Sequence, residues 1–493
     1  MKYISTRGDK EFKTSTEAII QGISGDKGLF VPDNIPKLPF RPGEMTEANY
    51  TEVAYSIIKS FFPEYSEEEL RHCVNSAYDK KFRKAEIVPL VKGGDAFFLE
   101  LYHGKTSAFK DMALSILPYL LTTAVKKEGV NKKICILTAT SGDTGKAALE
   151  GFSDVEGTEI FVFYPNKGVS KVQERQMVTQ EGKNTHVFSI EGNFDNAQTG
   201  VKRIFNDIDL GEKLNKAGCK LSSANSINIG RLVPQVAYYV FAYLQLIKRG
   251  DIKEGDEINV VVPTGNFGNI LAAYYSREMG IPVHKFICAS NENKVLTDFI
   301  NTGVYSIKRD FYLTNSPSMD ILISSNLERL LYYLSGGNSG EVRTLMEKLE
   351  SEKEYEVGDK IKEGLKDFYG GFATVEETIK TIGKMYGKHD YLIDTHTAVA
   401  YKVYEDYRRE TSDERATVIA STASPYKFAA DVAKAIGIGD EEEEFKYLSM
   451  IEEVTGVSVP EPLKGLEHRK VIHKNNIPAE DMGKVVMNVL MGN

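Results

Sequence analysis

Residues 132–152 read KKICILTATSGDTGKAALEGF: a short apolar, partly β-branched run, a glycine-bearing turn, then a helical pattern. A run that is apolar throughout, rather than at alternate positions, suits a strand buried on both faces, the habit of parallel sheets. The same grammar recurs outward along the chain. EIFVFYP (159–165) precedes the helical KGVSKVQERQMVTQEG (167–182), and THVFSI (185–190), EINVVVP (257–263), HKFICAS (284–290) and ATVIAS (416–421) repeat the strand. Strands alternating with helices predict a doubly wound α/β fold in two such layers, with ligands bound in loops beyond the carboxyl ends of the strands.

Residues 1–90 follow other rules. Pro32, Pro36, Pro39 and Pro42 punctuate a stretch that leads into the helical patterns TEANYTEVAYSIIKSFF (46–62) and SEEELRHCVNSAYDKKF (66–82). Ser66 with Glu69 is a capping-box pattern. The expected organisation is a mainly helical N-terminal module over 1–90, a two-lobed α/β region over 91–440 and a C-terminal segment over 441–493. Within the middle region, 341–370 (EVRTLMEKLESEKEYEVGDKIKEGLKDFYG) is highly charged and helical in period, and predicts a solvated helical insertion with no strand of its own.

The 493 residues carry 61 Lys and Arg against 70 Asp and Glu, a net charge of −9. That balance argues against nucleic acid or an anionic membrane as the main partner, while leaving room for a small anion at a locally positive site. Cys73, Cys135, Cys219 and Cys288 lie far apart, with no CxxC pair or His/Cys cluster, so neither a metal site nor a disulfide framework is expected. No stretch approaches the ~18 consecutive apolar residues of a membrane span. The N-terminal MKYISTRGDKEFK has no apolar run, and the expected compartment is the cytoplasm.

Two strand-to-helix loops invite chemistry, TATSGDTGKAA (138–148) and PTGNFGNILAA (263–273). Glycine-rich segments that open a helix present backbone N–H groups and the positive end of the helix dipole to an anion, although each alone is equally an ordinary tight connection. Nucleotide alternatives fail: there is no G-x-G-x-x-G, and SGDTGKA lacks the upstream Gly and the Ser/Thr of a P-loop, so Lys146 is no Walker lysine. A third segment, LYHGKTSAFKDMALSIL (101–117), places Lys110 where a loop gives way to an apolar helix. A lysine there is ordinarily solvated, but a desolvated one beside a phosphate loop can bond an aldehyde cofactor.

The combination decides. In order, HGKTSAFKD (103–111), TATSGDTG (138–145), NSINIGRLVPQ (225–235), PTGNFGN (263–269), DTHTAVAY (394–401) and STASPYKF (421–428) resemble the motifs of the threonine synthases, fold-type II enzymes dependent on pyridoxal phosphate (PLP). GDKGLFVP (25–32) extends the resemblance into the N-terminal module, as in the longer bacterial and fungal branch. The resemblance implies conversion of O-phospho-L-homoserine and water to L-threonine and phosphate by γ-elimination and β-hydration, the last step of threonine biosynthesis. It implies Lys110 as the catalytic lysine that bonds PLP, and Gly265, Asn266, Phe267, Gly268 and Asn269 as the loop that holds the cofactor phosphate. Ser141, Gly142, Asp143 and Thr144 resemble the loop over the substrate carboxylate and the cofactor O3′ side, and Thr422 the neutral partner of the pyridine nitrogen. Many fold-type II enzymes carry Asn where Asp143 stands, so this Asp is expected to share a proton with a nearby oxygen. Arg231 and Lys167 are candidates for the substrate phosphate, against ordinary readings as helix-surface and loop residues, and Asn228 and Ser318 for positioning the substrate. A threonine dehydratase-like or cysteine synthase-like lyase shares the lysine and the phosphate loop, but leaves the N-terminal module and NSINIGR unaccounted for. A non-catalytic threonine-synthase-like binding protein has no need of an intact Lys110 and GNFGN.

Overall fold

The computed structural model describes residues 1–140, 142–167 and 169–491. β1 (Tyr3–Ser5) and β2 (Phe30–Pro32) pair antiparallel around α1 (Ser15–Gln21), and α2 (Tyr50–Phe61) and α3 (Glu67–Ala77) follow. Capping boxes start these helices, Thr14 with Glu17, Asn49 with Glu52 and Ser66 with Glu69. Each box satisfies backbone amides that a first helical turn leaves without partners. β3 (Leu90–Gly93) lies antiparallel to β4 (Ala96–Glu100), and Lys110 stands immediately before α4 (Asp111–Leu114) and α5 (Leu117–Lys127).

One lobe then runs through β5 (Lys133–Ala139), α6 (Asp143–Phe152), β6 (Thr158–Pro165), α7 (Lys171–Val178), β7 (Thr185–Glu191), α8 (Phe194–Asn206), α9 (Ile208–Lys216) and β8 (Cys219–Ser223). The other begins with α10 (Ile229–Lys248), β9 (Ile258–Pro263), α11 (Gly268–Met279), β10 (Val283–Ser290), α12 (Val295–Thr302) and β11 (Val304–Ser306). It continues through α13 (Leu327–Leu334), α14 (Ser339–Glu352), β12 (Glu354–Glu356), α15 (Asp359–Leu365), β13 (Phe368–Phe372), α16 (Val375–His389), α17 (Thr395–Thr411) and β14 (Thr417–Ser421). Near the C-terminus lies β15 (Asn475–Pro478).

These strands make two principal sheets. The first has the order β15-β7-β6-β5-β8 and is parallel throughout; the second has the order β13-β10-β9-β14-β4-β3, in which only β3 runs antiparallel. Each strand read from the sequence forms, and β9, β14 and β4 are buried at every position. The fold is therefore the doubly wound α/β arrangement of two layers. Among the described residues, no helix is long and apolar enough to cross a membrane.

The charged stretch 341–370 departs from the expectation. It supplies helices α14 and α15, but also β12, which pairs antiparallel with β11, and the start of β13, the edge strand on β10. β12 is only three residues long between charged helices, and the glycines of FYGGF in β13 read as a turn. Beyond the expected strands, β15 adds a parallel edge to β7, with Asn475 opposite Phe188.

The N-terminal module is joined to this body through polar bonds as well as apolar packing. Arg329 on α13 is fully buried, and its guanidinium donates to the carbonyls of Phe30 (2.9 Å) and Ile227 and to Oδ1 of Asn326. Arg7 meets Glu328 on the same helix, at 2.8 Å. A hydrogen bond to a charged group contributes about 1.5–3 kcal/mol, and a buried acceptor left without a donor costs more than a solvated one. Arg329→Ala is thus expected to cost about 3 kcal/mol or more, read as a fall in the thermal midpoint. An unchanged midpoint would show that this bridge is energetically idle.

Candidate active site

Five loops that leave the carboxyl ends of parallel strands meet here: 101–110 after β4, the turn after β5, 224–228 after β8, 264–267 after β9 and 422 onward after β14. A cavity of about 840 Å³ lies between them. Lys110, Asp143, Arg231, the 265–269 segment, Ser318 and Thr422 line it.

Lys110 is placed by backbone pairing. The Phe109 N–H donates to the Thr422 carbonyl (2.7 Å), the Ser424 N–H to the Ser107 carbonyl (3.0 Å), and Ala108 bridges Ala423. The lysine segment is so zipped to the segment after β14, and Lys110 and Thr422 arrive together. Asp111 closes the same loop, accepting from the Thr106 amide (2.8 Å) and hydroxyl (2.6 Å). The Lys110 amine donates to Ser318 Oγ (3.2 Å) and lies 3.8 Å from Asp143 Oδ2. Burial pushes it down to about 8 against the pull of Asp143, with Arg231 and Lys427 repelling further charge. An amine so tuned is available as nucleophile and base near neutral pH.

Asp143 corrects the expectation of a shared proton. Lys427, with no exposed surface, lies 2.9 Å from Asp143 Oδ1, and Gln173 Nε2 donates to that oxygen at 2.8 Å. Burial alone would raise this carboxyl, but Lys427 and then Lys110 hold it far below the usual range. The group is a carboxylate shared by two ammonium groups, so no proton is needed to make it tolerable. Lys427 stood in the quoted STASPYKF without being singled out. The signal for it was the aspartate itself, since a buried carboxylate calls for a cation.

The 264–268 turn is unusual in its backbone. Phe267 caps α11 in the left-handed region (φ 62°, ψ −4°), which a bulky side chain seldom adopts. The turn is pinned from outside: Ser324 Oγ donates to the Gly265 carbonyl (2.7 Å), and Asn326 donates to the Asn266 carbonyl from its amide (3.1 Å) and its side chain (2.8 Å). First-turn amides of α11 have no acceptor within the helix, and the cavity meets the helix at this end. Asn269 adds a second donor. Its Oδ1 accepts from Tyr238 (2.6 Å) and Tyr239, while its buried Nδ2 has no partner among the described residues. A Cβ on Gly268 would sit at ordinary contact distance, 3.4 Å from Asn326 Nδ2 and 3.8 Å from Ser226 Cβ, so the protein itself leaves room for one in this corner. Free amides, an unpartnered side-chain donor and an open corner form a cradle that fits a phosphate, and the nearby amine fits an aldehyde.

The remaining expected residues divide. Arg231 is buried in the first turn of α10; one nitrogen donates to the Ala224 carbonyl (2.8 Å), and its buried Nε has no partner among the described residues. It is not the helix-surface residue of the ordinary reading. Burial brings it down to about 10, which leaves it charged at neutral pH. Gly142 caps α6, and Thr144 lines the cavity; Ser141 lies outside the described residues. Asn228 does not face the cavity. Its Oδ1 accepts from the Gly230 amide (2.9 Å) and its Nδ2 donates to the carbonyls of Ile19 (3.0 Å) and Ser223 (3.2 Å), so its bonding capacity caps α10 instead. Lys167 is exposed in the turn after β6 and is not among the residues that line the cavity.

An amine of lowered basicity facing an anion cradle, at the carboxyl ends of parallel strands, is the arrangement that a PLP site requires. The family described as "Pyridoxal-phosphate dependent enzyme" matches residues 88–422, "Threonine synthase N terminus" matches 2–78 and "Threonine synthase, C-terminal" matches 397–485. The chain is 36% identical over 516 residues to threonine synthase of Saccharomyces cerevisiae, covering 98% of each. It is 40% identical over 457 residues to human threonine synthase-like 1, a match that takes in 88% of this chain and only 61% of that longer protein. The crystal structure of PLP-bound threonine synthase from Brucella melitensis superposes with a TM-score of 0.87 at 35% identity, covering 100% of this chain and 99% of that one. The chain belongs to the threonine synthase family.

Two sets of variants test the geometry. Gly268→Ala is expected to fold normally yet retain PLP at least roughly tenfold more weakly, since a methyl in the cradle forfeits a charge-assisted bond. Gly265→Ala should lower thermal stability as well, because its Cβ would fall 2.4 Å from the Ser318 carbonyl oxygen. Equal PLP affinity in Gly268→Ala, read by spectroscopic titration, would move the cradle elsewhere. Lys427→Met strips Asp143 of its nearer cation and is expected to cost about 3–5 kcal/mol. Adding Asp143→Asn should recover part of that loss, and a double variant no more stable than Lys427→Met alone would contradict the pairing.

Proposed function

We propose that the chain is a threonine synthase, taking O-phospho-L-homoserine and water to L-threonine and inorganic phosphate by γ-elimination and β-hydration. What supports this reading is that one cavity with Lys110 holds two separate sets of donors suited to an anion, the 265–269 turn and the Arg231 guanidinium. A substrate that brings its own phosphate to a phosphate-bearing cofactor requires both.

PLP, bound through Lys110, supplies an electron sink that stabilises negative charge developing beside the substrate amine. The first-turn amides of α11 and Asn269 Nδ2 would hold the cofactor phosphate, and the Thr422 hydroxyl would serve the ring nitrogen without adding charge. Gly142 and Thr144, at the positive end of α6, receive the substrate carboxylate. Once the substrate amine has displaced it from the cofactor, Lys110 would take the Cα proton, work suited to an amine pushed down to about 8. Loss of a Cβ proton then lets the phosphate leave, water adds at Cβ, and Cα and Cγ are reprotonated. Asp143, with Lys427 on its far side, keeps the negative charge beside Lys110 fixed in place. Arg231 holds the phosphate as it departs from the γ-carbon.

The test is direct. Protein supplied with PLP and O-phosphohomoserine should release phosphate and threonine in equal amounts; ammonia with a 2-oxo acid would indicate a dehydratase-like lyase instead. Arg231→Ala is expected to lower kcat/KM at least roughly tenfold, the equivalent of ~1.4 kcal/mol, with PLP content near normal. Loss of PLP instead would place Arg231 at the cofactor phosphate.

A further inference from the structure

DTHTAVAY, which opens α17, contributes a buried pair that the reaction above leaves unused. Asp394 caps the helix, accepting from the Thr397 amide at 3.1 Å, and its other oxygen lies 2.9 Å from His396 Nδ1. Both residues are buried, and His396 lines the cavity. On the opposite side of the ring, the Ser318 amide lies 3.2 Å from His396 Nε2. The chemistry of the two neighbours fixes the proton. An ionised carboxylate only accepts, so Nδ1 must donate; a backbone amide only donates, so Nε2 must carry the lone pair. The imidazole is neutral, in a single tautomer, and its ring is wedged against Phe428 at 4.8 Å.

Ser318 is the hinge of this arrangement. Its hydroxyl accepts from the Lys110 amine at 3.2 Å, and its carbonyl oxygen packs where a Cβ on Gly265 would stand, 2.4 Å away. One residue touches both the lysine and the cofactor cradle, and its amide is held by His396. We propose that Asp394 and His396 form a positioning unit for Lys110, acting through Ser318, so that the lysine nitrogen finds a hydroxyl acceptor both when it is free and when it is bonded to the cofactor. Lys110 is faced by Asp143, Asp111, Arg231 and Lys427, and Asp320 lies within electrostatic reach of His396. Among these, Ser318 supplies the neutral acceptor, and an acceptor favours the charged amine. Substrate positioning, the role expected of Ser318 from the sequence, is replaced by lysine positioning.

The inference rests on Lys110 as the cofactor lysine, and the experiment separates the two. Asp394→Asn keeps an oxygen for the Thr397 amide but offers His396 Nδ1 an N–H, which moves the imidazole proton to Nε2 and sets it against the Ser318 amide. In the holoenzyme, the visible band of the cofactor on Lys110 should titrate lower by roughly half a pH unit, because an acceptor for the lysine nitrogen is loosened. kcat should fall roughly fivefold or more with KM little changed. Ser318→Ala, which leaves the backbone intact, should give the same shift, and Asp394→Asn should add nothing in its background. Additive effects of the two variants would overturn the proposal, as would a raised KM with an unmoved titration in Ser318→Ala, which returns Ser318 to the substrate. Absence of any visible band in the parent protein would overturn the cofactor reading and this inference together; a normal band that neither variant shifts would overturn the inference alone.

Discussion

A single buried carboxylate holds three distant parts of the chain in register. Asp143 opens the helix after β5, Lys110 ends the loop after β4 and Lys427 follows β14, and the carboxylate lies 2.9 Å from one lysine and 3.8 Å from the other. No pair within this trio is enough. With Lys110 alone, one oxygen would lie buried without a cation, and with Lys427 alone, the amine at the cavity would lose the attraction that offsets its desolvation. Two of these loops also meet through the backbone, where Phe109 and Ser107 bond to the segment after β14. Ion pairing and strand order therefore ask for the same geometry, and the lysine has little freedom to be anywhere else.

The cradle shows a similar economy of means with a different material. Phe267 accepts an unfavourable backbone conformation, and the cost is met by neighbours outside the turn: Ser324, Asn326 and, through Asn326, Arg329. Because Arg329 also holds the Phe30 and Ile227 carbonyls, the N-terminal module, the start of α10 and the cradle share one buried guanidinium. The N-terminal residues are therefore structural participants in the site, although few of them face it.

Much of this was legible in the sequence. Wholly apolar runs gave away the parallel strands because burial on both faces leaves no alternation to misread, and Ser66 with Glu69 marked a helix start that forms as such. The loops followed, since doubly wound sheets put ligands at strand ends. What escaped was of two kinds. Short strands such as Glu354–Glu356 carry too few residues to show a period, and FYGGF hides an edge strand behind glycines. Pairings between distant residues escaped as well: nothing local in PYKF says that Lys427 is buried, and nothing in DTHTAV says that its histidine faces Ser318. Asn228 failed in the opposite sense, because an asparagine before a helix is as good a cap as a ligand, and here it is the cap.

The placing of β15 bears on how the chain comes to be folded during synthesis. The five-stranded lobe takes its edge from Asn475–Pro478, paired to Phe188–Glu191, while the whole of the larger lobe lies between them in the chain. On the ribosome, β7 therefore emerges with one side of its hydrogen-bonding ladder open and remains so until residues 475–478 have been made. An exposed parallel edge is a template for foreign strands, and the nascent chain carries that exposure while the whole of the larger lobe is being made. Its safe passage falls to whatever binds unfinished chains, and truncation anywhere before residue 475 leaves the edge open for good.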